Sequence, residues 1–256
     1  MIDHKWRLLD TGVHDACCNM ALEKVLLTSC AEGIVPNTLH FLEFSPCVLL
    51  GYSQSLEDEI NESYCRKNGI AINRRISGGG SIYMDGGALG WEIIAKKNTP
   101  GIPGNQSDMY CVLCGGVIKA LSKFGIDSCF RPINDVEVKG RKISGAGGTE
   151  LEDAIIFHGT VLVDLNADIM VEALKLPAGK NKYREISDFR MRTICMRELL
   201  GFVPPMEEVK DHLAQAFSDI LELEFEKSGL STEETKMLDT ELPLFSSGEW
   251  IYGKQP

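Results

Sequence analysis

The order of apolar and polar residues along the chain predicts strands mainly in its first two thirds and helices mainly in its last third. Short β-prone apolar runs indicate the strands, which lie at 6–10, 38–42, 47–51, 70–73, 89–95, 136–138, 142–144 and 154–163. Apolar residues three or four positions apart predict the helices, which lie near 17–26, 56–68, 109–124, 169–174, 196–200 and 206–222. We therefore expect an α+β fold in which helices pack on a mixed β-sheet.

Capping signals and linker composition bear on the domain boundaries. Gly69 and Gly125 are placed to end two of the helices, because glycine adopts the left-handed conformation of a helix end without steric cost. Ser231 and Glu234 have the spacing of a capping box, which predicts one more short helix. No stretch is rich enough in proline, glycine or serine to separate two domains. We expect one domain over residues 1–245 and a short C-terminal tail over 246–256.

The composition is that of an ordinary globular protein, with 44% apolar and 25% charged residues among 256. Nine cysteines without regular spacing, no long apolar run and no leader-like start predict a cytoplasmic protein with free thiols. The formal net charge of −11 argues against a general nucleic-acid binder. We therefore expect neither nucleic acid nor membrane among its partners.

The segment Arg74–Asp85, RRISGGGSIYMD, is the first candidate for chemistry. Its three consecutive glycines allow backbone N–H groups to approach an anionic ligand closely. The two arginines before them supply fixed positive charge suited to phosphate or carboxylate. The spacing fits neither a Walker loop nor the G-x-G-x-x-G dinucleotide pattern. A tight turn between strands is the alternative, but such a turn rarely needs three glycines beside two arginines.

A second segment, 134–148, combines one carboxylate, several cations and further glycines. Lys142 beside these glycines could hold an acyl carbonyl and a phosphate together, which is what acyl-adenylate chemistry requires. Asp135 could accept a ligand hydroxyl or hold Mg²⁺. From the residues alone, the alternative is a charged and solvated hairpin.

Five motifs in the same order resemble those of the lipoate–protein ligase A family, within the superfamily of lipoate ligases, octanoyltransferases and biotin ligases. They are Asn19-Met20-Ala21-Leu22-Glu23, Gly51-Tyr52-Ser53-Gln54, Arg74–Asp85, the segment 134–145 and Phe157-His158-Gly159-Thr160-Val161-Leu162. The resemblance implies the catalytic-domain fold of biotin and lipoate ligases. It also implies transfer of a lipoyl or octanoyl group to a lysine of a lipoyl carrier protein, with ATP and Mg²⁺ as cofactors. Biotin ligation is matched less well, because the biotin family arranges its glycine-arginine loop differently.

The resemblance implies roles for individual residues. Lys142 matches the family's catalytic lysine, which binds both the acyl carbonyl and the adenylate phosphate. The stretch that cradles ATP or the acyl-adenylate is matched by Arg75, Gly80, Ser81, Ile82 and Tyr83. The acyl tail is expected beside Ser77, Gly78 and Gly79. The remaining candidate ligand contacts are Asn134, Asp135, Gly145 and His158, and Asp135 is also the candidate metal ligand.

The chain departs from the family pattern at three places. Met84 stands where the family usually has histidine, Ala88-Leu89-Gly90 replaces the common Asn-Leu-Asn, and Gly147-Gly148 replaces larger side chains. These departures concern the adenine contacts and the choice of acyl chain, and they leave Lys142 unchanged.

Cys129 is the candidate nucleophile of an alternative mechanism. The thiol-dependent octanoyltransferases of the superfamily have Cys-Phe shortly before the lysine segment, and here Cys129-Phe130 precedes Lys142 by thirteen residues. A thiolate there would accept the acyl group from a carrier thioester without ATP. Against this, Asn134-Asp135 follows the ligase pattern.

His158 and two cysteines also have alternative interpretations. His158 could bond a ligand group or fix a loop. Cys111 and Cys114 have zinc or thioredoxin spacing, but they lie in an apolar helical stretch, which favours a core role.

Partners are indicated by a basic segment and by the C-terminal residues. The segment 175–197 contains seven basic and two acidic residues, which gives it a local charge of +5. We interpret it either as a solvated loop and helix or as a docking strip for an acidic carrier or an adenylate-covering loop. Full-length ligases of the family have an additional small C-terminal domain, and residues 249–256 resemble its beginning. We therefore expect one of three cases. The chain is a ligase that works with a separate small accessory subunit, a transferase that needs none, or a non-catalytic subunit that binds an acyl-adenylate.

Overall fold

The computed structural model describes residues 5–175 and 191–253. Its strands are β1 (Lys5–His14), β2 (Thr38–Phe44), β3 (Cys47–Leu50), β4 (Ala71–Arg74), β5 (Ile82–Met84), β6 (Ala88–Lys96), β7 (Cys129–Arg131), β8 (Asp135–Val138), β9 (Arg141–Leu151), β10 (Ala154–Leu162) and β11 (Glu224–Lys227). Its helices include α1 (Ala16–Ala31), α2 (Leu56–Glu59), α3 (Glu62–Lys67), α4 (Gln106–Lys123), α5 (Ala167–Ala173), α6 (Met196–Leu200), α7 (Met206–Leu221), α8 (Thr232–Phe245) and α9 (Gly248–Tyr252).

Eight strands form a large sheet in the order β11-β1-β2-β6-β10-β9-β8-β7. β1 runs parallel to both of its neighbours, and the other pairs are antiparallel. A smaller sheet has the order β4-β3-β5, with β3 parallel to β4 and antiparallel to β5. Helices pack on these mixed sheets, so the predicted α+β fold is confirmed.

Alternation along β6 divides the large sheet into two faces. Trp91 and Ile93 belong to the main apolar core, which includes residues of α4 and α7. Trp91 packs on Phe217 of α7 with 5.1 Å between ring centroids. Ile94 faces the other way and packs with Leu26 of α1. Glu92, between these apolar residues, therefore lies on the α1 side of the sheet.

The structure differs from the sequence-based expectation in several short elements. The polar helix predicted near 56–68 is two helices, because Ile60 is extended and pairs with Leu174. The pattern missed β5, β7, β11 and α9, which have three to five residues and are too short to show a period. The arm predicted at 142–144 is the beginning of an eleven-residue strand, β9, which runs on through its glycines.

The C-terminal helices are joined to the sheets by buried polar contacts. The predicted capping box is confirmed, because Ser231 Oγ accepts from Glu234 N at 3.1 Å and Glu234 Oε2 accepts from Ser231 N at 2.8 Å. Arg7 of β1 donates two hydrogen bonds of 2.7 Å to the same carboxylate, with both side chains buried. The predicted tail is described as far as residue 253, and this part contains α9.

Within the described ranges, no helix combines the length and the apolar content that a membrane crossing requires.

Candidate active site

A cavity of about 560 Å³ lies between the large sheet and the glycine loop, residues 78–80, which follows β4. The structure brings most of the predicted site residues into its wall, namely Arg75, Gly78, Gly79, Gly80, Ser81, Ile82, Tyr83, Asn134, Lys142, Gly145 and His158. Apolar side chains complete the wall, among them Met20, Leu42, Phe44, Leu49 and Leu162. A mostly apolar cavity with a few convergent polar groups suits a ligand that has an aliphatic part and a charged part.

Lys142 lines the outer end of the cavity and pairs with Asp135, which lies outside the wall. Lys142 Nζ lies 2.7 Å from Asp135 Oδ1, and the two side chains are 40% and 20% exposed. The backbone of Lys142 is fixed, because β8 pairs with it through Glu137 and Ile194 N donates to its carbonyl at 2.9 Å. The amine is therefore placed by a rigid strand but remains accessible to a ligand.

His158 lines the inner end of the cavity and contacts two residues outside the wall, Glu23 and Ser77. His158 Nδ1 lies 2.7 Å from Glu23 Oε1, and His158 Nε2 lies 2.9 Å from Ser77 Oγ. Glu23 and Ser77 are fully buried. The imidazole is thus held from both nitrogens, which fixes the orientation of its ring against the cavity.

A second buried pair lies beside the inner end. His40 Nδ1 is 2.8 Å from Glu92 Oε2, and His40 Nε2 is 2.8 Å from Thr11 Oγ1. One ligand atom each from Glu23, Glu92 and His158 lie within 4.8 Å of one another. Among the described residues this is the one group of three or more side chains that could surround a metal ion, and Asp135 is not part of it.

Two glycines of β9 make room for the functional side chains. A Cβ on Gly145 would lie 2.3 Å from Lys142 Nζ, and a Cβ on Gly147 would lie 3.0 Å from His158 Nε2. Gly147 is directly opposite His158 in the sheet. The glycines that depart from the family pattern at 147–148 therefore belong to the cavity wall.

Arg75 holds the glycine loop rather than pointing its charge at an open site. Its Nη2 donates to the carbonyls of Gly78 and Gly80 at 3.1 and 3.0 Å, and its Nη1 donates to Leu49 O at 3.1 Å. Burial lowers the pKa of the Arg75 guanidinium, and the negative charge of Glu23 opposes that shift.

Ser81 and Tyr83 present hydroxyl groups on the same wall. Ser81 Oγ is buried, and no described residue hydrogen-bonds to it. Burial, together with the nearby Asp85 carboxylate, raises the pKa of Tyr83, so its phenol stays neutral. Asn134 is fixed on the opposite side, because its carbonyl accepts from Ala146 N at 2.9 Å and its Nδ2 donates to Ala146 O.

Cys129 begins β7 and lies outside the cavity wall, with its side chain exposed. It is opposite Glu137 of β8, which is in turn opposite Lys142 of β9. Since neighbouring strands are about 4.8 Å apart, the Cα atoms of Cys129 and Lys142 are separated by roughly 10 Å. Its role as a nucleophile stays a prediction.

The other two cysteines of interest lie on α4. Cys114 is buried in the main core, and burial raises the pKa of its thiol to about 12. This agrees with the predicted core role. For Cys111 that interpretation was wrong, because its side chain is exposed.

Some wall residues were missed by the sequence analysis. Glu92 is the clearest case, since a carboxylate between Trp91 and Ile93 in an apolar strand is itself a signal of a buried polar site. Gln106 and Tyr110 reach the wall from α4 and gave no such signal. Glu23, which lies outside the wall and pairs with His158, is part of the Asn19–Glu23 motif, but the motif alone does not indicate this pairing.

Most of the basic segment lies outside the described residues, including Lys180, Lys182, Arg184 and Arg190. Of its described members, Lys175 Nζ donates to Glu57 O at 2.6 Å. Arg197 Nη1 is 3.1 Å from Asp164 Oδ2. The docking role of this segment stays a prediction.

The comparison with protein families agrees with this geometry. Residues 15–218 match the lipoyl protein ligase A/B catalytic domain, so the chain belongs to that family. Octanoyltransferase LipM of Kyrpidia tusciae is 27% identical over 272 residues, which cover 97% of this chain and 99% of LipM. Lipoate-protein ligase LplJ of Bacillus subtilis is 28% identical over 251 residues, which cover 96% of this chain and 72% of LplJ.

Solved structures show the same fold. The bipartite lipoate protein ligase of the archaeon Thermoplasma acidophilum superposes with a TM-score of 0.84 at 25% identity, over 98% of each chain. A lipoate-protein ligase A bound with ATP superposes with a TM-score of 0.85 at 23% identity, over 97% of this chain and 99% of that chain. The predicted family and the predicted ligase-type catalytic fold are thus confirmed.

Proposed function

We propose that the chain is a lipoate–protein ligase, which activates lipoate or octanoate with ATP and transfers the acyl group to a lysine of a lipoyl carrier protein. The observation that supports this proposal is Lys142 in the wall of one cavity with the glycine loop and Ser81. In the first step an acid oxygen attacks the α-phosphorus and pyrophosphate leaves. In the second step the carrier amine attacks the acyl carbonyl and AMP leaves.

The residues present fit an acyl-adenylate. Ser81 Oγ, which has no hydrogen-bond partner among the described residues, suits a polar ligand atom, because a buried hydroxyl without a partner is costly. Lys142 Nζ, now beside Asp135, would turn to the phosphate and the acyl carbonyl and stabilise negative charge on both. The apolar wall would hold the aliphatic chain, with Ser77, Gly78, Gly79 and His158 towards its far end.

Mg²⁺ would neutralise charge on the phosphates. It is usually bound through one or two carboxylates together with phosphate oxygens, so Asp135 alone is a sufficient protein ligand. Asp135, which pairs with Lys142, would hold the ion, and the Lys142 amine would bind the acyl-adenylate.

The acceptor is proposed by analogy with the Thermoplasma enzyme. That ligase was solved as part of a lipoylation system with its E2 lipoyl domain, and it is bipartite. We propose a lipoyl domain as acceptor and a separate small accessory subunit for the activation step.

The experiment supplies the purified chain with a lipoyl domain and either preformed lipoyl-adenylate or lipoate with Mg-ATP. We expect acylation from lipoyl-adenylate, and acylation from lipoate that rises when a candidate small subunit is added. Full activity with lipoate and no partner would refute the accessory subunit. No acylation in any tube would refute the ligase and favour a transferase or a non-catalytic binding subunit.

A second candidate is an octanoyltransferase that uses Cys129 as nucleophile. It is favoured by the similarity to octanoyltransferase LipM, which is 27% identical over 97% of this chain. The row Cys129–Glu137–Lys142 also places the thiol in register with the lysine. Incubation with an octanoyl carrier thioester tests it, because an acyl-enzyme would add the octanoyl mass to Cys129 and release the carrier thiol.

A further inference from the structure

Arg74 is a buried arginine beside the cavity that the proposed chemistry does not use. Its side chain is 1% exposed and has no carboxylate partner among the described residues. Instead, the guanidinium donates to six backbone carbonyls from two distant segments. Three belong to the loop 51–54 and three to the end of α9. The buried positive charge of Arg74 therefore joins two segments of the backbone through hydrogen bonds.

The loop 51–54 supports the glycine loop of the cavity. Arg74 Nη1 donates to Gly51, Tyr52 and Gln54 carbonyls at 3.1, 2.8 and 2.8 Å. Tyr52 N donates to Ser77 O at 2.8 Å. A Cβ on Gly51 would lie 1.9 Å from Gly79 O, so the two loops are in direct backbone contact. Movement of the first loop would therefore move the second.

On its other side, Arg74 holds the C-terminal helix. Its Nε and Nη2 donate to the carbonyls of Trp250, Ile251 and Gly253 at 3.1 to 3.2 Å. These are carbonyls of the last turn of a helix, where a positive charge is favourable. Trp250 Nε1 donates back to Arg74 O at 3.1 Å, and its ring packs on Tyr52 at 6.1 Å between centroids.

We infer that Arg74 is a positioning residue through which α9 holds the glycine loop in its ligand-binding shape. The order of contacts is α9, Arg74, the loop 51–54, the glycine loop and then the cavity. Residues 248–253 are accordingly part of the binding machinery. The ligand named in the test, an acyl-adenylate, rests on the proposed function.

Arg74→Lys is the test variant, because lysine keeps the charge but has only three donors in place of a planar fork. Arg7→Lys is the matched control. Arg7 is also buried and also ties a C-terminal helix to a sheet, through Glu234, but in the described part of the chain its side-chain hydrogen bonds go to Thr38 and Glu234 and not to the cavity loops. Both variants are compared at a temperature at which circular dichroism shows each to be folded.

Two measurements are made on each variant. Amide hydrogen exchange at 78–81 reports the loop without any ligand, and calorimetric titration with lipoyl-adenylate reports binding. For Arg74→Lys we expect faster exchange at 78–81 and a Kd raised by about tenfold to a hundredfold, as for a loosened binding group. For Arg7→Lys we expect both to stay within about twofold of the unmodified protein.

Trp250→Phe provides an independent variant, because it keeps the ring but removes the N–H that donates to Arg74 O. It should shift both measurements in the same direction as Arg74→Lys, by less. Equal exchange and equal affinity in Arg74→Lys and Arg7→Lys would overturn the inference. If the unmodified protein fails to bind lipoyl-adenylate, the proposed function fails, while the exchange measurement still decides the role of Arg74.

Discussion

The outer and inner ends of the cavity are lined by the same strand, β9, but they hold their ionic groups differently. At the outer end, Lys142 and Asp135 form a partly exposed pair. At the inner end, His158 is paired with a Glu23 that has no exposed surface. Partly exposed pairs contribute about 0–1 kcal/mol to stability, whereas breaking a buried pair costs about 3–5 kcal/mol.

The charged groups of the two ends therefore have different functions within one site. The outer pair can open at little cost, so Lys142 is free to change partners when a ligand arrives. Opening the inner pair costs more free energy, so this pair fixes the shape of the cavity and its groups are not free to react. Substitutions at the outer end should therefore affect turnover, and those at the inner end should affect folding.

The largest expected effect is that of Lys142→Ala. We expect carrier acylation to fall by about a thousandfold or more, since a positioned charge that stabilises a transition state contributes several kcal/mol. The unfolding free energy should change by less than about 1 kcal/mol. Mass spectrometry of the carrier and urea denaturation measure the two. Near-normal acylation would contradict the role given to Lys142.

Glu23→Ala and Asp135→Ala compare the two ends for stability. Removing Glu23 leaves His158 with one partner in a buried site, so we expect a loss of about 3–5 kcal/mol in unfolding free energy. Removing Asp135 should cost less than about 1 kcal/mol. Urea denaturation of both variants gives the comparison. Equal losses would show that the two ends are not energetically distinct.

Gly147→Ala and Gly145→Ala sharpen the comparison with a single methyl group each. At Gly147 the methyl would meet the ring of His158, which is held from both sides, so we expect a loss of about 1–3 kcal/mol. At Gly145 it would meet the flexible end of Lys142, which can swing away, so stability should hardly change while acylation falls. The reverse order of stabilities would contradict this account of the two ends.

The smallest expected effect is that of Cys129→Ser. The side chain is exposed and outside the cavity wall, and the adenylate route has no use for a thiol nucleophile. Acylation from lipoyl-adenylate should stay within about twofold of that of the unmodified protein. The unfolding free energy should stay within about 0.5 kcal/mol. Complete loss of transfer, together with an octanoyl mass shift on Cys129 of the unmodified protein after an octanoyl donor is added, would instead favour the octanoyltransferase mechanism.

The sequence predicted the parts of the fold that depend on period and the parts of the site that depend on motif. The strand over β10 and the helix over α4 were found because each is long and apolar. The path of β9 through Gly145, Gly147 and Gly148 was not predicted, because glycine has low strand propensity. Only the register against β10 shows that those glycines accommodate Lys142 and His158.

The structure also changes the interpretation of Arg74 and Arg75, the two arginines of the first segment. Both were expected to offer charge to an anionic ligand. In the structure, Arg74 and Arg75 are directed mainly at backbone carbonyls, of the loop 51–54 and α9 in one case and of the glycine loop in the other. No local pattern distinguishes an arginine that binds a ligand from one that binds carbonyls, because the carbonyls come from segments up to 179 residues away.

The parallel pairing of β1 with β11 has a consequence for synthesis of the chain on the ribosome. Residues 5–8 pair with 224–227, whereas the other edge of β1 pairs with β2, which follows closely. At about 5–20 residues per second, the β11 side of β1 waits roughly 10–40 s for its partner after β2 has been made. An unpaired strand edge is a template for association with other chains. A nascent chain stalled before residue 224 should therefore depend on a chaperone more strongly than the finished protein does.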